Sequence, residues 1–105
     1  MTSLSGFVIL RTAGFANLNP DVQAEIMRIA LSKIYPKTDW VIFDPEADEE
    51  QLEDEGRTLR VPFGKIKEKV YAILDDYGSA EALSEQLGQK VKTRYTLTFL
   101  LASEY

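Results

Sequence analysis

"GKIKEKVYAILDDYG", residues 64–78, sets the fold, because it supplies the second of two long helices. Ile66, Val70, Ile73 and Tyr77 fall at i, i+4, i+7 and i+11, the spacing of one helix face. Gly78 stands where a C-cap belongs. The spacing therefore predicts a helix over this stretch.

Working outward, "TLRVPF" (58–63) alternates Leu59, Val61 and Phe63 with polar residues and reads as a half-buried strand, with Pro62 at its end. Downstream, Ser79 N-caps a short helix, "AEALSEQL", that stops at Gly88. "VKTRYTLTFLLASEY" (91–105) then alternates as a strand. Towards the N-terminus, "GFVILRT" (6–12) and "TDWVIFD" (38–44) are apolar, β-branched runs read as strands. Between them "AGFANLNP" is a loop. Asn19 is the N-cap, Pro20 the first residue and Pro36 the stop of a helix facing inward with Val22, Ile26, Ile29, Ala30 and Ile34. The order β-α-β-β-α-(α)-β is that of an α+β, ferredoxin-like split βαβ: a four-stranded antiparallel sheet with helices on one face. The expectation is one domain over residues 1–105.

The other distinctive stretch is "DPEADEEQLEDEG" (44–56). Asp44, Glu46, Asp48, Glu49, Glu50, Glu53, Asp54 and Glu55 give it eight carboxylates and no base. The chain carries −5; the remaining residues hold nine acids against twelve bases, so the acidity is local. As a helix the segment would set like charges four apart, so a loop, or a turn pinned by Leu52, is expected. It is longer than the about two to five residues of a common hairpin connection. Such a tip would steer the protein to a basic partner surface, even by imitating the phosphate spacing of a nucleic acid. The plain alternative is a solvated loop folded back on Arg57, Arg60, Lys65, Lys67 and Lys69. A calcium reading places Asp44, Glu46, Asp48 and Glu55 at EF-hand-like positions, but Glu49 stands where Gly is required, so no metal is expected.

Other chemistries fit poorly. There is no Cys and no His, which removes thiolate sites and the commonest general base. Asp39 and the Asp75–Asp76 step remain as carboxylate candidates, and no catalytic residue or cofactor is assigned. Gly56 and "GK" at 64–65 have the wrong gap for a phosphate loop. Nucleic acid is an unfavoured partner, since a single Phe63 stands where RNA-binding sheets interleave aromatics. Residues 79–98 are similar at their start to a helix-turn-helix, with Lys90, Lys92 and Arg94 as its bases, but Arg94 would fall in that motif's core. "MTSLSGFVILRTAG" lacks a basic leader and no apolar run approaches membrane-spanning length, so a cytoplasmic protein with no membrane partner is expected.

The last strand is long and loses its alternation at Leu100 and Leu101. The ferredoxin-like order puts it on an edge, which predicts a homodimer through Tyr95, Phe99, Leu100 and Leu101. The leading reading is a binding protein using its acidic loop. A small-ligand or weakly catalytic domain, and a DNA-binding regulator through residues 79–98, are the alternatives.

Overall fold

The computed structural model describes residues 2–4, 6–34 and 37–105, with side chains from residue 6 onward. Strand β1 is Thr2–Leu4 and β2 is Phe7–Arg11. Helix α1, Ala13–Ala16, is a single turn in the expected loop, capped by the Thr12 hydroxyl, which accepts from Phe15 N. Helix α2, Pro20–Lys33, begins where the sequence placed it, with Asn19 Oδ1 accepting from Asp21 N at 2.8 Å. Its expected end at Tyr35 and Pro36 lies outside the described residues. Strand β3 is Trp40–Asp44, β4 is Gln51–Glu53 and β5 is Thr58–Pro62. Strand β6 is Val70–Asp76, α3 is Ala80–Leu87 and β7 is Tyr95–Leu101. Ser79 and Gly88 cap α3 as expected: Ser79 Oγ accepts from Ala82 N, and Gly88 takes the left-handed conformation.

The ferredoxin-like expectation is overturned. The strands form one mixed sheet in the order β1-β2-β7-β6-β3-β5-β4: six strands from Phe7 onward, with β1 added at one edge. Pairs β2–β7 and β3–β5 are parallel; the rest are antiparallel. Residues 64–78 are not a helix. Phe63 to Lys69 is irregular and Val70–Asp76 is a central strand between β3 and β7. Val70, Ala72 and Leu74 point to one side and Tyr71, Ile73 and Asp75 to the other. A strand apolar on both faces yields the same apolar count as a helical stripe, and all four stripe residues are β-branched or aromatic side chains that also suit a strand.

The long link after β3 also resolves. The chain reverses as β4 at the far edge, reverses again, and inserts β5 between β4 and β3. This double reversal is why β3 and β5 run parallel although no long helix joins them.

The register separates two faces. One carries Phe7, Ile9, Leu97, Phe99, Val70, Ala72, Val41, Phe43, Leu59 and Val61, and packs with Phe15 of α1 and Ile26 and Ala30 of α2 in the main core. Phe15 stacks on Phe99 with ring centroids 5.3 Å apart. The other face carries Val8, Thr96, Leu100, Tyr71, Ile73, Trp40 and Ile42. Leu83 of α3 and Val8 are both fully buried and both lie outside the main core in which Phe15, Ile26 and Ala30 pack. The buried residue of α3 therefore does not join the core that α1 and α2 share.

Strand β7 is interior, flanked by β2 and β6. Phe99 is fully buried, Leu100 nearly so, and Tyr95 and Leu101 pack against the core. The edge position on which pairing between copies was expected does not exist.

Candidate binding surfaces

Asp44 closes β3. Its Oδ1 accepts from Glu46 N at 2.8 Å and its Oδ2 accepts from Arg60 at 2.7 Å. Arg60, on β5, turns its other two nitrogens to Glu53 of β4, at 2.9 and 3.4 Å. One guanidinium thus ties three consecutive strands, using the fork geometry that suits Arg. The Glu46 amide first, and Arg60 after it, hold the Asp44 carboxyl below its ordinary value against the cost of burial. Arg60 does the same for Glu53, and the two acids push the guanidinium up.

Glu50 meets Lys33 of α2 at 3.7 Å, with both side chains well exposed. The other five acids, Glu46, Asp48, Glu49, Asp54 and Glu55, are exposed and, among the described residues, in no ion pair. Asp54 and Glu55 stand in the turn between β4 and β5 at φ of 51° and 56°, followed by Gly56 at 89°. Both acids of this left-handed run are exposed. Beside them Leu52 is 68% exposed on the edge strand. The segment is neither the free loop of one expectation nor the fully neutralised loop of the other. Asp44 and Glu53 serve the scaffold, and the rest face solvent.

Among the described residues no three His, Cys, Asp or Glu side chains converge as metal ligands would. Asp44, first of the EF-hand-like positions, is occupied by Arg60. Asp39 accepts from Arg57 at 3.0 Å. Asp76 pairs with Arg94, which also lies over the Tyr95 ring. Asp75 and Asp76 lie at the end of a strand, not of a helix. Residues 95–101 are β7, so no second helix follows α3 within 79–98 as a helix-turn-helix requires. Lys90 and Lys92 are exposed beside that strand. No helix of the described residues is long and apolar enough to cross a membrane.

A cavity of about 320 Å³ lies among Leu18, Ile66, Leu101, Lys65, Lys67 and Glu68. Two of its charged groups are engaged: Lys65 with Glu25 at 2.9 Å, and Glu68 as acceptor for Ser103 N.

The second sheet face was missed from sequence. Trp40, Tyr71 and Tyr105 form an aromatic group there, with centroids 5.2–5.8 Å apart. Tyr105 is 74% exposed, and Ile42, Ile73, Tyr71 and Trp40 are half-buried. The available signal was composition: "WVIF" and "VYAIL" are apolar at every position, so each must show apolar side chains to both sides of a sheet.

Comparison with known proteins gives no match: no family model, curated sequence or solved structure is similar to this chain.

Proposed function

We propose that this is a non-catalytic binding protein whose acidic edge, β4 with its two flanking turns, docks on a basic surface of a partner. The observation that supports this most is the division of labour among the eight carboxylates. Two are spent on Arg60, one lies near Lys33, and five stand exposed beside the exposed Leu52. Unpaired acids in the turns flanking an edge strand repel a second copy of the same edge and attract a cationic surface. Leu52 supplies an apolar point for that contact.

The test is capture from the native host with the edge intact and with Glu46, Asp48, Glu49, Asp54 and Glu55 changed to their amides. Capture should be lost in the amide variant and weaken steadily as salt rises, while thermal unfolding stays unchanged. A partner held equally well by both proteins would refute the proposal. Displacement of a captured partner by duplex DNA would show that the edge occupies a nucleic-acid site.

A further inference from the structure

The second sheet face is built differently from the first. Ile26 and Ala30 of α2 pack into the core of the first face, to which α3 contributes no residue. Strands lie about 4.8 Å apart, so β7, β6 and β3 leave a floor about 10 Å across, the width of one helix. That floor is half-buried Ile42, Ile73, Tyr71 and Trp40. Both buried side-chain polar atoms without a hydrogen-bond partner among the described residues belong to this face: Trp40 Nε1 and Thr96 Oγ1.

Its charges leave one acid over. The register puts Asp44, Glu53 and Asp75 on this face with Arg60, and the Lys69 charge also acts on Asp44 and Glu53. Arg60 already serves Asp44 and Glu53. Asp75 is directly opposite Thr96 and, among the described residues, has no ion pair. Burial first, and the nearby Asp39 charge second, push its carboxyl up, the response of an acid lacking a cation.

We infer that this open face receives a cationic amphipathic helix from a partner protein, apolar side against Trp40, Ile42, Tyr71 and Ile73, with a Lys or Arg reaching Asp75. The surface is distinct from the acidic edge and can stand or fall without it. An oxygen on the incoming helix gives Trp40 Nε1 its acceptor. Tyr105, exposed on top of Trp40 and Tyr71, is the side chain that moves aside.

Trp40 is the only tryptophan in the chain, so its emission reports on this face directly. The whole protein is titrated with a synthetic Leu/Lys amphipathic helix of α2's length, and with the same peptide carrying Glu for Lys. The expected result is a saturable blue shift and protection of Trp40 from acrylamide with the Leu/Lys peptide alone. Asp75→Lys should weaken it about tenfold, the loss of one charge contact. The five-amide variant of the acidic edge should keep the response within about twofold. No saturable shift, an equal response to the Glu peptide, or a response that depends on the acidic edge instead of Asp75 would each overturn the assignment. So would sedimentation showing that the protein alone is a dimer with Trp40 already shielded, since a second copy would then be the occupant.

Discussion

Arg60 answers two carboxylates at once, and its removal would leave Asp44 buried without a cation. Arg60→Met should cost about 1–3 kcal/mol of unfolding free energy, less than for a fully buried pair because the guanidinium is partly exposed. Its pH dependence follows from the same contacts. Asp44 and Glu53 are both held below their unfolded values, so their contribution is complete above about pH 4–5 and fades as pH falls through the lowered values. Denaturant titrations from pH 6 to pH 3 should show a steep loss in the parent and a flatter one in Arg60→Met. Equal slopes would mean that Arg60 does not set the acid response. At the other end of the sheet, Glu104 accepts from Thr12 Oγ1 at 2.5 Å, Gly14 N at 2.9 Å and Leu101 N at 2.9 Å. A methyl group at position 14 would meet Glu104 Oε1 and Leu101 Cδ1 at 2.7 Å. Gly14→Ala should therefore lower stability by about 1–3 kcal/mol, and Gly14→Ala combined with Glu104→Ala should lose less than the sum of the two single changes. Strict additivity in a double-mutant cycle would show that the contact carries no energy.

The turn between β4 and β5 has its own energetic signature. Asp54 and Glu55 hold left-handed backbone that costs a non-glycine residue about 1–3 kcal/mol. Glu55→Gly should raise the melting temperature or leave it unchanged, while Gly56→Ala, at φ 89° and 3.3 Å from Lys37 Cε, should lower it. The reverse order would mean that the turn adopts another conformation in solution. Element by element, what could be read from sequence was whatever carried its own end signals. Asn19–Pro20 announces α2, Ser79 and Gly88 bracket α3, and β2, β3 and β5 are short apolar runs between breakers. Residues 70–76 had no such marks. Gly64 offers no side-chain cap, and the apolar positions satisfy both periods. Strand β4 was illegible for another reason: three residues, two of them polar, in an acidic run acquire strand geometry only because Arg60 and β5 hold them. The acidic segment was correctly located as a concentration of charge, but which acids are structural depended on contacts from another strand, which spacing along the chain does not encode.

At the scale of the molecule, the sheet order joins distant parts of the chain: β2 pairs with β7, and β6 sits between β7 and β3. Non-local pairing of this kind closes large loops before it is rewarded, so refolding should fall in the millisecond-to-second range typical of β-rich small domains. Stopped-flow Trp40 fluorescence checks this, and completion within microseconds would contradict it. Removing residues 101–105 should lower the melting temperature, because Leu101 packs on the core and Glu104 ties the end of the chain to α1. The parallel pairing of Phe7–Arg11 with Tyr95–Phe99 also bears on how the molecule is made. On a ribosome the edge unit of β3, β4 and β5 can assemble while later residues are still being added. Strand β2 has no neighbour on its inner side until Tyr95–Leu101 has left the exit tunnel. Its apolar side chains must wait until the whole stretch between the two strands has been made, and that interval is when a chaperone would find this chain.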